Sequence, residues 1–197
     1  MKNILIINGH QQYPSSEGRL NRTLVSKMAE RLGMRGYSIR QTHVEAGYDV
    51  AEELESHQWA DVVIMQLPVH WMQMPWKLKK YMDEVYTAGL GGELCHGDGR
   101  TTDKPSENYG GGGTKKGSKY MLSLTFNAPP QAFDKAGEWL FEGRSVDELF
   151  MPTHCCFRFF GMTALETFVC YDVKKNPQIE QDFERLNAHL ARNFPAL

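Results

Sequence analysis

The chain has 197 residues, with 22 Lys plus Arg against 24 Asp plus Glu and a formal net charge of −2. A chain of this length buries a core without disulfides or a structural metal, and its balanced charge lacks the basic field that nucleic-acid binding requires. Its apolar runs are far shorter than the roughly 20 residues that span a bilayer, and it begins without the features of a signal peptide. We therefore expect a cytoplasmic protein of one domain.

The first half of the chain alternates predicted strands with predicted helices. Residues 3–7 form a continuous β-branched run that stops at Asn8-Gly9, typical of a strand covered on both faces. A polar stretch follows, and then apolar residues at helical spacing predict a helix: Leu20, Leu24, Val25, Met28 and Leu32. This is the pattern of a strand, a loop and a helix.

The same alternation continues after the first helix. Residues 37–44 predict a more exposed strand, and residues 50–59 predict a short acidic helix. Residues 61–67 predict a second buried strand, and Pro75 begins a helix over residues 76–86. Strands that alternate with helices in this way indicate a parallel sheet.

A long segment at about 88–118 shows no periodicity. It contains ten of the 18 glycines, between Gly89 and Gly117. Loops of this length in a compact domain usually carry a function, so the segment is a candidate for a site wall or a partner interface.

The last third predicts one more strand at residues 119–126, then helical structure around residues 131–141. Ser145 and Glu148 fit a capping box that opens a short helix, which Pro152 interrupts. The fifth predicted strand covers residues 165–171. A final helix is predicted with Asn176 as its cap and Pro177 in its first turn, and its apolar stripe consists of Ile179, Phe183, Leu186, Leu190 and Phe194.

The loop after the first strand is a candidate anion site. Ligands of open parallel sheets bind beyond the carboxyl ends of the strands. There the hydroxyls of Ser15, Ser16 and Thr23, with the free N–H groups of a helix start, fit a phosphate; a merely capped helix is an equally good interpretation. The loop contains neither G-x-G-x-x-G nor the P-loop pattern, which disfavours a Rossmann NAD site and an NTPase.

Two further strand ends carry unusual residues. Residues 68–76 are rich in aromatic side chains and Met, which favours a flat apolar ligand; Trp71 and Trp76 could instead cover the core or meet a partner subunit. Thr125 to Ala128 place backbone and amide groups beside the ring of Phe126. His70 could approach a ligand ring, although a lone histidine more often has a structural role. No set of metal ligands is found.

At these three loops the sequence resembles the flavodoxin-like NAD(P)H:quinone oxidoreductases, specifically the bacterial branch called modulator of drug activity B. The similarity runs over almost the whole chain. It is carried by residues 3–9, by Gly18-Arg-Leu-Asn-x-Thr-Leu24, by residues 59–64, by Pro68-x-x-Trp-Met72 with Pro75-Trp76, by Lys79-Lys-Tyr81, by Asp98-Gly-Arg-Thr101, and by residues 119–125 with Asn127-Ala-Pro129. The sequence departs from that family at residues 10–14, at Val69-His70 and at Phe126.

The resemblance implies one flavodoxin-like domain over residues 1–197, an α/β fold with a five-stranded parallel sheet of order 2-1-3-4-5 and helices on both faces. It also implies a homodimer with FAD sites at the subunit interface. The implied FAD contacts at the pyrophosphate are Ser16, Gly18, Arg19, Leu20, Asn21 and Thr23. Those at the isoalloxazine ring are Pro68, Val69, His70, Trp71, Met72, Thr125, Phe126, Asn127 and Ala128, with Tyr109 facing the ring.

The implied activity is two-electron reduction of quinones by NAD(P)H, with NADPH preferred, and a role in quinone detoxification and oxidative-stress defence. Hydride passes from the nicotinamide to flavin N5 and then to a quinone in the same slot, which predicts ping-pong kinetics. Tyr109 and His70 are the candidates to assist, and no catalytic acid or base is expected. Reduction of azo or nitro compounds on the same flavin, a one-electron FMN carrier and a cofactor-free interaction module remain alternatives.

Overall fold

The strands of the protein form one sheet in which every pairing is parallel. The computed structural model describes residues 2–197. Over those residues the strands are β1 (Asn3–Asn8), β2 (Ser38–His43), β3 (Val62–Pro68), β4 (Lys119–Thr125), β5 (Thr163–Ala164) and β6 (Phe168–Cys170). Their order is β2-β1-β3-β4-β5, and β6 also pairs with β4. This order confirms the doubly wound, flavodoxin-like topology.

The helices cover both faces of the sheet. They are α1 (Arg19–Met34), α2 (Val50–Trp59), α3 (Trp76–Ala88), α4 (Val146–Leu149), α5 (Met151–Phe159) and α6 (Ile179–Asn193), with 3₁₀ turns at Val44–Ala46 and Pro130–Ala132. No helix among residues 2–197 is both long and apolar enough to cross a membrane.

Alternation along β1 explains why the core has two halves. Side chains of successive strand residues point to opposite faces. Ile4 and Ile6 therefore pack with α1 and α6, whereas Leu5 and Ile7 pack with α3 and α5. All four are fully buried, as expected for a central strand of a parallel sheet.

The glycine-rich segment between α3 and β4 folds back onto the helices. Gly113 lies so close to α5 that an added Cβ would stand 2.2 Å from the carbonyl carbon of Phe160. The ammonium group of Lys115 donates to the carbonyl oxygens of Gln58 (2.9 Å) and Ala60 (3.0 Å) at the end of α2. A cation at a helix C-terminus also interacts favourably with the helix dipole.

The helix predicted around residues 131–141 is wrong. Only the short turn Pro130–Ala132 forms, and Asp134 and Gly137 adopt left-handed backbone conformations with φ of 55° and 84°. Phe133 and Phe141 stack with ring centroids 4.5 Å apart. The looped chain brings the two rings together, so tertiary packing takes precedence over helix propensity.

The fifth strand, predicted at residues 165–171, forms only as β6 (Phe168–Cys170), and β5 (Thr163–Ala164) precedes the predicted range. Lys119 of β4 pairs with Thr163, whereas Ser123 pairs with Phe168, so the edge strand contains one residue more than β4 over this stretch. Such a bulge interrupts the pairing. The prediction of a strand over residues 165–171 is therefore right for Phe168–Cys170 and too long at both ends.

Two helix starts also differ from the sequence prediction. The final helix begins at Ile179 after Gln178, so Asn176 is not its cap and Pro177 precedes its first turn. The capping box of Ser145 and Glu148 is confirmed. Beyond it, Pro152 lies in the first turn of α5, a helix that the sequence analysis did not predict.

Burial of His57 generates a prediction for the pH dependence of stability. Its ring is fully enclosed beside Tyr81 and Tyr86, and burial lowers its pKa from 6.5 to about 4. Between these values the unfolded chain binds a proton that the folded chain does not. Acidification from pH 7 to pH 5 should therefore reduce the free energy of unfolding by roughly 1–2 kcal/mol through this group.

Urea unfolding of the wild type and His57→Phe at several pH values checks this. The variant keeps an aromatic ring and should lose most of that pH dependence, whereas His96→Gln, a change at an exposed histidine, should keep it. If the free energy of unfolding changed equally with pH in the wild type and in His57→Phe, His57 would not be the source of the pH dependence.

Candidate functional site

A cavity of about 410 Å³ lies at the carboxyl edge of the sheet, where the chain leaves β1, β3, β4 and β6. In an open parallel sheet of this order, the β1/β3 edge is the topological switch point where ligands bind. Eleven residues proposed from the sequence line the cavity together: Ser15, Ser16, Gly18, Arg19, Leu20, Asn21, Pro68, Val69, His70, Thr125 and Asn127.

The start of α1 forms the most polar wall of this cavity. Gly18 is the N-cap, with φ 75° and ψ 14°, and offers no capping side chain; the first turn contains no acidic residue. The first helical bond runs from the N–H of Arg22 to the carbonyl of Gly18 (3.0 Å). The helix therefore supplies no acceptor for the N–H groups of Arg19, Leu20 and Asn21. An uncapped helix start of this kind binds anions, phosphate groups above all.

A chain of buried hydrogen bonds fixes this helix start to the strand ends. The Gln66 amide donates to Asn21 Oδ1 (2.8 Å) and accepts from the Ser123 hydroxyl (2.6 Å). Asn21 also donates to Thr125 Oγ1 (3.4 Å). All four residues are buried, and Gln66 and Ser123 fully so. Because buried polar groups are costly when unpaired, these hydrogen bonds strongly favour a single position of α1 relative to the ends of β3 and β4.

His10 explains why a glycine stands at position 18. Its Nε2 lies 3.2 Å from the carbonyl oxygen of Ser16, so the ring donates there. Burial lowers the pKa of His10, which keeps the ring neutral at pH 7. A Cβ on Gly18 would lie only 2.2 Å from this ring. The His10 ring thus fills the inner side of the loop after β1, and the outer side of this loop borders the cavity.

Two tight turns border the cavity. Tyr13 and Ser16 exchange backbone hydrogen bonds (3.0 and 2.9 Å), as do His70 and Gln73 (2.8 and 3.1 Å). Between the latter pair, Trp71 and Met72 have φ of 49° and 63°. This left-handed conformation costs non-glycine residues roughly 1–2 kcal/mol each. Strain of this kind is concentrated at functional sites, where the surrounding structure imposes it.

Several residues proposed from the sequence lie outside the lining of this cavity. Thr23 lies on the exposed side of α1, where its hydroxyl donates to the Arg19 carbonyl (2.9 Å). Trp71 is 84% exposed. Phe126 is buried in the core against Phe133 and Phe150.

Met72 and Ala128 are likewise absent from that lining. Met72 is more than one-third exposed on its strained turn, and Ala128, which follows β4, is partly buried against the core.

Tyr109 lies in a second groove of about 370 Å³ formed by α3, α5 and the glycine-rich segment. Its ring is 74% exposed. It contacts Phe159 edge-on (centroids 5.9 Å apart), and the Arg100 guanidinium lies 5.5 Å from its centroid. Arg100 is itself held by Asp98 (2.6 Å). The ring is therefore supported from behind and open to the outside.

The sequence analysis missed several residues of the first cavity. Tyr13, Val173, Lys174 and Ile179 all contribute to it. The last three follow β6, whose carboxyl end lies at the same edge as the other strand ends, so the general rule for parallel sheets gave a usable signal. Tyr13 lay in a segment where the sequence departs from its relatives, and nothing in the pattern placed it opposite His70.

Comparisons with known proteins agree with this geometry. The family described as having a flavodoxin-like fold matches residues 2–192. The NADPH:quinone oxidoreductase MdaB of Haemophilus influenzae is 47% identical over 98% of this chain and 99% of its own length.

Solved structures show the same fold at lower identity. A Klebsiella pneumoniae protein has a TM-score of 0.78 at 21% identity, over 100% of this chain and 86% of the other. General stress protein 14 of Treponema denticola, solved in complex with FMN, has a TM-score of 0.62 at 19% identity, over 98% and 97% of the two chains.

The chain therefore belongs to the family of the flavodoxin-like fold. Within that family it is a near-full-length relative of the Haemophilus influenzae oxidoreductase, which confirms the branch that the sequence resemblance indicated.

The buried hydrogen-bond chain predicts a large effect for Gln66→Leu. Leucine has a similar size but leaves the side-chain Oδ1 of Asn21 and the hydroxyl of Ser123 unpaired. The substitution should therefore lower the free energy of unfolding by about 2–4 kcal/mol. Urea denaturation measures this. Gln58→Leu, at an exposed position of α2, serves as the control. Equal effects of the two substitutions would show that the buried hydrogen bonds contribute little to stability.

Proposed function

We propose that the protein is an FAD-dependent NADPH:quinone oxidoreductase. The observation that carries the proposal is the uncapped start of α1, which opens at the β1/β3 edge into a cavity bordered by apolar and aromatic side chains. This combination suits a ligand with a phosphate at one end and a flat ring at the other. The name of the Haemophilus influenzae relative supports the activity.

The shape of the cavity favours FAD over FMN. Beyond the start of α1, its lining continues to Val173, Lys174 and Ile179. These residues provide an ammonium group and apolar surface for a second phosphate and the nucleoside that follows it. The Treponema denticola structure contains FMN, so the identity of the flavin is a point for direct test.

Each wall of the cavity has a distinct task in this proposal. The N–H groups of Arg19, Leu20 and Asn21 bind the pyrophosphate, and Glu17 is kept from repelling it by its ion pair with Arg19 (3.1 Å). Val69, His70, Thr125 and Asn127 line the part of the cavity assigned to the ring. When bound, FAD supplies two-electron hydride transfer from NADPH to a quinone.

The protein contributes binding and orientation rather than acid–base catalysis. The titratable rings that we assign to the ring end are those of His70 and, from a second copy of the chain, Tyr109, and the substrate side remains open for NADPH and quinone to bind in turn. We propose a cytoplasmic location, because the reaction depends on NADPH. We also propose a role in quinone detoxification under oxidative stress, because the flavin transfers electrons in pairs.

The test is an absorbance spectrum of the purified protein, release and identification of its flavin, and anaerobic addition of NADPH. We expect a yellow protein with FAD that bleaches in one two-electron step and recolours with a quinone. A protein that takes up no flavin would refute the proposal. Bound FMN with a long-lived semiquinone would instead indicate a one-electron carrier, and turnover of azo or nitro compounds but not quinones would indicate a different substrate class.

Lys174 provides a test of the pyrophosphate site. Lys174→Glu should weaken FAD binding about three- to tenfold at low salt, with a smaller effect at high salt because the charge is exposed. Binding of riboflavin, which has no phosphate, should change little. Fluorescence titration of the apoprotein measures both.

Lys175→Glu is the matched control, since this neighbouring lysine is also exposed but lies outside the cavity lining. Equal losses in both variants, or an equal loss for riboflavin, would contradict the placement of the pyrophosphate.

We further propose that the protein is a homodimer and that the second groove is its interface. That groove is mainly apolar, and Tyr109 stands exposed in it, away from the flavin cavity of its own chain. An exposed aromatic ring on a rigid support is typical of interface residues. In this arrangement Tyr109 faces the flavin of the second copy.

Leu90→Glu tests the interface. Leu90 lines the groove and is 44% exposed, so a buried carboxylate there should convert the dimer to a monomer at micromolar concentration. Sedimentation velocity measures the state. Leu140→Glu is the control, because Leu140 is also 44% exposed but lies outside the groove. A wild-type monomer, or a Leu90→Glu variant that stays dimeric, would contradict the proposal.

A further inference from the structure

Two rings join the loop after β1 to the turn after β3. The side chains of Tyr13 and His70 stack with centroids 4.2 Å apart and planes inclined by 10°. Each is the first residue of one of the tight turns closed by reciprocal backbone hydrogen bonds, to Ser16 and Gln73 respectively. The contact therefore connects two segments that the sheet brings to neighbouring positions but that come from different parts of the sequence.

Each turn is anchored separately, so the ring pair is a junction between two firm supports. On the β3 side, the N–H of Val69 donates to the Thr125 carbonyl (2.9 Å). On the β1 side, the Tyr13 hydroxyl donates to Gln11 Oε1 (3.2 Å), and the ring of His10 fills the interior of the loop. A contact between fixed supports is less costly to maintain than one between mobile chains, because little conformational entropy is lost.

The stacked pair also lies at the cavity. Both residues belong to its lining, together with the start of α1 on one side and Thr125 on the other. A centroid distance of 4.2 Å leaves no space for a third ring between them. A planar ligand therefore cannot insert into the stack, and it must lie on the cavity side of it.

We propose that Tyr13 and His70 form a clasp that retains the flavin, an inference that rests on the proposed function. The clasp holds the phosphate-side loop against the ring-side turn. The bound flavin leaves when the two side chains rotate apart on their fixed turns, so the clasp controls the dissociation rate. Tyr13 and His70 are positioning residues in this role, because the ring of each faces the other and it is the turn beginning at His70 that borders the isoalloxazine.

This mechanism predicts a particular pattern among variants. If the two rings act only as a pair, removal of either has the full effect and removal of both adds nothing. If each ring instead contacts the flavin independently, the effects multiply. A double-mutant cycle distinguishes these cases.

The experiment measures FAD dissociation from the loaded protein by stopped-flow fluorescence, with an excess of an apoflavoprotein as a trap. Tyr13→Ala and His70→Ala should each release FAD about 3–10 times faster, the factor expected for loss of one stacked aromatic pair. The double variant should match the single variants. Tyr13→Phe, which keeps the ring, should behave like the wild type.

Trp139→Ala is the control for loss of an exposed ring elsewhere; Trp139 is 82% exposed and outside the cavity lining. Unchanged release in Tyr13→Ala and His70→Ala, or multiplicative effects in the double variant, would overturn the clasp while leaving the proposed function intact. A wild-type protein that takes up no flavin would refute the proposed function and the clasp with it.

A second measurement needs no flavin. In NMR spectra of the apoprotein, the His70 ring protons should be shifted upfield by the Tyr13 ring. The shift should disappear in Tyr13→Ala and persist in Tyr13→Phe. Its absence in the wild type would show that the stack does not form in the free protein, which would also overturn the clasp.

Discussion

The structure depends on the position of one helix start. The first turn of α1 is fixed over the carboxyl ends of β3 and β4 by the buried hydrogen bonds that connect Asn21, Gln66 and Ser123. Polar side chains in the middle of a central strand do not add to an apolar core, and only replacement of the whole hydrogen-bonded set by apolar side chains would avoid leaving a partner unpaired. Their effect is to hold the uncapped helix end at the switch point of the sheet, where its N–H groups are available to an anion. The cavity, its polar wall and the loop around His10 all follow from this placement.

Much of the fold could be predicted because the central strands satisfy simple rules. The continuous apolar run of β1 requires cover on both faces, and the alternation of strands with amphipathic helices requires a parallel sheet. The edge of the molecule was less predictable. A bulge divides the last strand between Ala164 and Phe168, and the stacking of Phe133 on Phe141 replaces a helix by turns. Both depend on tertiary contacts that a local pattern does not contain.

The candidate site shows the same division. The helix start at Gly18 and the strand-end residues Thr125 and Asn127 could be placed from the sequence, because their position follows from the topology. The burial of Phe126 in the core could not be predicted from the sequence. Whether a residue after a strand faces the cavity or the core depends on where the strand ends. The stack of Tyr13 on His70 was also beyond prediction. The turn that His70 begins contains Trp71 and Met72 in left-handed backbone conformations, which sequence propensity disfavours.

The most direct test of this account is an amide NMR titration of the apoprotein with FAD and, separately, with inorganic pyrophosphate. The account predicts that both ligands cause their largest shared shifts at the N–H groups of Arg19, Leu20 and Asn21, and that FAD alone adds shifts at Val69 and His70. Shared shifts centred elsewhere, such as on the basic outer side of α1 around Arg22 and Lys27, would contradict the claim that the helix start is the phosphate site.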